Sequence, residues 1–206
     1  MSIIEAIQEG LASGSKWDQL NLVLGIWGVT LMIRRRLWAF PVGMAAVTVQ
    51  GVLFWDAALY AETTLQVFFF GCLGYGWWHW VHGKGEEPEL PVTLLSARER
   101  WGWLAAAVGL LLVWGTWQAK FTDAILPYRD TFIASFSIVA QILQARKKLE
   151  NWAGWVVVNT VAIATYWSMG EIYWVFLYLV FLGLGIAGWR SWWLALQQQN
   201  ERTKNV

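Results

Sequence analysis

Two triplets of side chains share one helical interval in a chain that is otherwise apolar. Glu62, Gln66 and Phe69 stand at i, i+4 and i+7, and Trp174, Tyr178 and Phe181 repeat the spacing, which predicts one helical face for each triplet. Asn159 and Tyr166 sit two turns apart on another segment, and Gln50 and Gln141 add amides on two more. Amides and phenols hydrogen-bond carboxamides and sugar hydroxyls without imposing a net charge. Aromatic rings stack on a flat heteroaromatic ligand, and more strongly on a cationic one. This is the chemistry of binding. The pattern holds no nucleophile beside a base and no GxxxxGK[ST] phosphate loop. His79 and His82, at i and i+3, lack a Cys or Asp to complete a metal site. An enzyme is not expected, nor a resident metal or cofactor.

The setting of these residues is a membrane. Hydrophobic residues make up 57% of the 206 and charged residues only 14%, against about 25% in soluble domains. A soluble chain this small has no interior large enough to hide that surface. With a net charge of +1, nucleic acid is not an expected partner; membrane lipid is. The single cysteine, Cys72, excludes an internal disulfide. Glu5 and Glu9 occupy the place where a secretory signal is basic. Ile3, Ile4, Ile7 and Leu11 follow helical spacing, which suits either a short helix on the membrane surface or a solvated tail.

Charged residues divide the chain into seven apolar runs, between Asp18 and Arg34, Arg36 and Asp56, Glu62 and Lys84, Arg100 and Lys120, Asp130 and Arg146, Glu150 and Glu171, and Glu171 and Arg190. A spanning helix needs about 20 mostly apolar residues. Within the runs each amide costs free energy unless it finds a partner. For one amide, glue between helices competes with ligand binding; the set together points to a polar cavity. Glu62 lies near a helix start, where a carboxylate is ordinary; attraction of a cationic solute at the mouth is the functional alternative. The expected binding set is Gln50, Glu62, Gln66, Phe69, Gln141, Asn159, Tyr166, Trp174 and Tyr178. Of the 18 tryptophans, Trp38, Trp55, Trp77, Trp78, Trp80, Trp101, Trp152, Trp167, Trp192 and Trp193 fall at span ends and are expected to form an interfacial belt.

Residues 34–80 and 148–194 read as one segment written twice at an offset of 114. Trp38-Ala39 recurs as Trp152-Ala153, and Gly71, Gly74 and Trp78 recur as Gly185, Gly188 and Trp192. The basic cluster Arg34–Arg36 recurs as Arg146–Lys148 with a slip of two. A duplicated membrane unit with half-sites closing on one solute is a transporter plan. Glycines 71, 74 and 76, mirrored by 183, 185 and 188, are expected to let helices approach closely. A three-helix unit ends on the opposite side from its start, so an extra span between copies makes them parallel. The expected fold is therefore an all-α membrane protein of seven transmembrane helices, two parallel three-helix bundles joined by a linker helix (3+1+3). Its divisions are an extracytoplasmic N-terminal segment (1–18), a first bundle (19–82), a cytoplasmic loop (83–100), the linker helix (101–120), a second bundle (127–194) and a cytoplasmic tail (195–206). The loop, HGKGEEPELPVTLLSARER, is read as extramembrane from its Pro, Gly and charge content. Twelve of the fifteen basic residues fall on one side, against Lys16, Lys120 and Arg129 on the other. That places the C-terminus in the cytoplasm and the N-terminus outside.

The stretch LYAETTLQVFFFGCLGYGWWHW (Leu59–Trp80) resembles a span signature of the bacterial nicotinamide riboside transporter family, PnuC. So does the run from Ile142 to Trp193, with its K-x-x-E-N-W motif followed by Asn159 and Tyr166. The resemblance covers about residues 20–194, and the family is similar in architecture to the SWEET sugar transporters. It implies facilitated diffusion of nicotinamide riboside across the bacterial cytoplasmic (inner) membrane, with phosphorylation by a separate kinase trapping it for NAD synthesis. The positions it carries over are Glu62, Gln66, Asn159, Tyr166 and Tyr178; many members have Asn where this chain has Gln66. Similar folds carry thiamine or riboflavin, which remain alternatives, as does a non-transporting membrane sensor. A homo-oligomer is left open.

Overall fold

The computed structural model describes residues 15–85, 89–122 and 126–204, together with Ile4, Glu5, Gln8, Gly10 and Ala12 ahead of them. Seven long helices follow in order: α1 (Lys16–Ile33), α2 (Ala39–Asp56), α3 (Tyr60–His82), α4 (Ala97–Phe121), α5 (Pro127–Ala145), α6 (Asn151–Ser168) and α7 (Ile172–Lys204). Each matches one charge-delimited run, because charges that cannot enter hydrocarbon settle where helices end. The segment read as a tail from residue 195 continues α7 as helix to Lys204. Of the proposed surface helix, Ile3, Ile7 and Leu11 lie outside the described residues; Ile4 is exposed.

Local sequence sets the helix ends. Ser15 and Ser96 begin α1 and α4 through reciprocal capping boxes with Asp18 and Glu99. Pro127 opens α5, where a missing N–H costs nothing. At the far ends of α1 and α5 the chain reverses through Arg35 (φ 55°) and Lys147 (φ 54°), both in the left-handed region. That region is rare for a side chain with a Cβ, so both turns are held by their surroundings.

Neighbouring helices pack in the cycle α1–α2–α3–α5–α6–α7 and back to α1, with α4 outside the cycle against α5. Helices α2, α4 and α7 are long and apolar enough to cross a membrane by length and composition alone. Large apolar side chains line the exterior, with Val113 73% and Val67 68% exposed, a surface that needs lipid rather than water.

The structure corrects the register of the repeat. Ile33 and Ala145 end equivalent helices, Ala39 and Asn151 begin them, and Ala58 and Gly170 are the left-handed residues of the next turns; every pair is 112 residues apart, not 114. Packing repeats at the same interval. Phe40 meets Trp80 edge-on at 5.0 Å, and Trp152 meets Trp192 edge-on at 5.5 Å. Trp80 Nε1 donates to Ala145 O of α5 at 3.1 Å, and Trp192 Nε1 donates to Met32 O of α1 at 3.1 Å. Each seam between the two halves is thus pinned by one indole N–H. Trp80, Trp152 and Trp192 are only 3%, 1% and 0% exposed, so they leave the expected belt. Position at a span end fixes depth, not the direction a ring faces. The other seven belt candidates are exposed.

The loop before α4 is a strap laid into the bundle end rather than a solvated excursion. Leu90, Val92 and Leu95 are buried. Thr93 N–H donates to Lys147 O at 3.3 Å, and Leu149 N–H donates to Thr93 O at 3.0 Å. The Glu150 carboxylate accepts from Leu95 N–H at 3.0 and 3.1 Å and pairs with Arg100 at 3.0 Å. Glu89 reaches Arg35 at 3.8 Å and Lys147 at 3.4 Å. Burial pushes the Lys147 amine down to about 8, partly opposed by Glu89, with Arg35 acting in the same direction as burial. Folding then releases a proton between about 8 and the ordinary 10.5, so stability rises with pH across that window and is flat below it. Lys147→Met is expected to remove this slope. Thermal unfolding in detergent at pH 7.5 and 9.5 should show the native protein gaining about 3 °C or more relative to the variant.

Candidate functional site

A cavity of about 320 Å³ lies within the helix cycle, inside the ~300–1,000 Å³ range of small-molecule pockets. Its walls come in pairs from the two halves at the interval of 112: Gly25 and Ser137, Val29 and Gln141, Met32 and Gln144, Gly43 and Trp155, Val47 and Asn159, Phe69 and Phe181. Within these pairs the polar side chains all belong to the second half. No charged side chain lines the cavity among the described residues.

Four of the nine expected site residues meet here: Phe69, Gln141, Asn159 and Tyr178. Gln141 and Asn159 are 7% and 6% exposed, so their amides are out of bulk water and available to a ligand. Tyr166 does not line the cavity. It stacks on Tyr178 at 5.4 Å and on Trp174 at 5.8 Å, a ladder of rings running from the cavity to the start of α7. The α3 triplet diverges: Phe69 faces the cavity, Gln66 lines a separate crevice between α2 and α3, and Glu62 is exposed. At about 100° per residue, positions i+4 and i+7 differ by about 60°, enough to straddle the edge of a helix face. Gln50 is bonded to Asn21 of α1, which is the glue role. Gln50→Leu should therefore lower the unfolding temperature in detergent while leaving ligand affinity within about twofold, since such a contact contributes about 0.6–2 kcal/mol.

Sequence reasoning missed three contributors. Trp155 lines the wall and donates through Nε1 to Gln144 Oε1 at 2.8 Å, fixing both side chains. Trp152 also lines the cavity, and its buried Nε1 has no hydrogen-bond partner in the structure. An unpaired buried donor costs about 1–3 kcal/mol, which the packing around this ring must offset. The signal was the NWAGW run at the start of α6, where two indoles three residues apart share a helical face.

Below the cavity, Phe40, Trp80, Trp152 and Trp192 close the floor; Trp80 and Trp192 meet across the halves at 5.7 Å. The arrangement leaves a chamber of small-molecule size between duplicated helical units with an apolar exterior, the plan of a membrane carrier. Comparison with known proteins agrees. Residues 15–194 match the family described as nicotinamide mononucleotide transporter, and the chain belongs to that family. It is 26% identical over 210 residues to the nicotinamide riboside transporter PnuC of Escherichia coli (strain K12), covering 90% of this chain and 88% of that one. It is 30% identical over 184 residues to the riboflavin/roseoflavin transporter RibM of Streptomyces davaonensis, covering 86% and 84%. A crystal structure of the vitamin B3 transporter PnuC superposes with a TM-score of 0.75 at 23% identity, over 95% of this chain and 88% of the other. The chain is a multi-pass α-helical membrane transport protein.

Proposed function

We propose that this protein carries nicotinamide riboside into the cell by facilitated diffusion, supplying NAD synthesis after phosphorylation inside. The observation that supports it most is the cavity wall: aromatic rings for a pyridinium, the Gln141 and Asn159 amides for carboxamide and ribose, and no fixed charge among the described residues. A phosphate would need Arg or Lys, and none lines the cavity among the described residues, so the riboside fits better than the mononucleotide. With no carboxylate lining the cavity among the described residues, diffusion is favoured over proton or sodium coupling. Asn159, Gln141, Trp152, Trp155, Tyr178 and Phe69 contact the solute in this reading. Tyr166 and Trp174 lead to it, Gln66 flanks it, and Glu62 attracts the cation at the outer mouth.

The two halves act as parallel three-helix units, residues 19–82 and 127–194, joined by α4. The helix cycle supports this: α1 against α7 and α3 against α5 are equivalent seams. The basic end faces the cytoplasm, by the distribution of Lys and Arg. Riboflavin is the second reading, favoured by the relative that carries it. Titration calorimetry on the purified protein should show binding of nicotinamide riboside. Binding of riboflavin or thiamine alone would reject the assignment, and binding without saturable liposome flux would make the protein a sensor.

A further inference from the structure

Between the cavity and the basic end stand two closures in series. The first is the four-ring floor, two rings from each half. Beneath it the Lys147 ammonium, 1% exposed, lies 4.3 Å from the centre of the Trp80 ring. The second closure is the strap, whose Glu89 carboxylate is, among the described residues, the anion within 4 Å of both Lys147 and Arg35. Arg35 and Lys147 are the equivalent left-handed turn residues of the two halves. One carboxylate from an unrepeated loop therefore bridges the repeat, and it does so against the ring floor.

We propose that Glu89 is the latch of an inner gate: its pairing with Lys147 and Arg35 holds the two halves together beneath the cavity, and its release lets solute pass to the basic side. The inference rests on the transport reading above. Its physical core is that a buried ammonium is tolerated in the closed state only while an anion accompanies it. Take the anion away and the closed state must carry an unpaired buried charge or give up a proton, while an open state lets water reach the ammonium. Take the ammonium away as well and the closed state regains an apolar contact on Trp80.

The test reads gate opening directly. In a Cys72→Ala background, Ala46→Cys puts a thiol on the cavity wall. Inverted membrane vesicles then receive a membrane-impermeant methanethiosulfonate reagent on the basic side. Glu89→Gln is expected to raise the labelling rate about tenfold, and Glu89→Gln with Lys147→Met to return it near the starting value. An unchanged rate in Glu89→Gln overturns the latch. A raised rate that Lys147→Met fails to reverse also overturns it, because loss of strap packing then explains the opening. Calorimetry with nicotinamide riboside on the same proteins tests the substrate separately; absent binding would reject the riboside without touching the labelling result.

Discussion

Asn159→Leu lowers the affinity for nicotinamide riboside by about 5- to 150-fold while the fold survives. Asn159 sits on α6, 6% exposed and lining the cavity. Leucine conserves most of the volume but cannot pair with a carboxamide or hydroxyl, leaving a desolvated ligand group unsatisfied. That loss is about 1–3 kcal/mol, which converts to the stated range. The same exchange at Val47, its counterpart 112 residues earlier, touches an apolar wall and should shift affinity little. Calorimetry on both variants checks the pair. Equal affinity in Asn159→Leu and the native protein would move the binding site out of this cavity.

Gly188→Ala is expected to do the most damage to the fold of any single methyl. A Cβ there would lie 2.5 Å from Cδ2, Cε3 and Cζ3 of Trp152, a ring already fixed edge-on against Trp192. Overpacking costs about 1–3 kcal/mol even where neighbours can shift. Here relief must move either α7 or an indole that lines the cavity, so transport is expected to fall along with thermal stability. Gly76 stands in the same relation to Phe40, at 2.7 Å. Gly71, Gly74 and Gly183 have no neighbour within 4 Å of a built Cβ, and Ala at these positions should leave the unfolding temperature within about 2 °C. A melting series in detergent separates the two groups, and uniform tolerance across both would contradict the packing described.

The spans were legible because membrane chemistry writes them in charge: Asp18, Arg34, Asp56 and Lys84 each fall within a few residues of a helix end. Duplication was visible too, but its register was not. Two tryptophan–alanine pairs and a few glycines align at 114 by coincidence of composition, whereas the true equivalences often join unlike residues, Phe40 with Trp152 and Gly43 with Trp155. Backbone geometry keeps the repeat where side chains have diverged. That the segment before α4 is a loop was legible from its prolines and charges; that it packs into the bundle end was not, although the alternation of Leu90 and Val92 carried a signal for an extended, half-buried segment. Amide roles split for a similar reason. Gln50 and Gln141 are the same residue type inside apolar runs, and only the neighbouring helix decides which meets Asn21 and which meets the cavity.

The lopsided chemistry of the cavity wall, polar from one copy and bare from the other, has a mechanical and an evolutionary outcome. On the proposed transport reading, a passenger fastened to one leaf of a hinge travels with that leaf when the other swings away, so its escape would be timed by unbinding from α5, α6 and α7 rather than by the swing. Ligand preference can likewise drift through changes in a single copy, leaving its twin to conserve the shape on which closure depends.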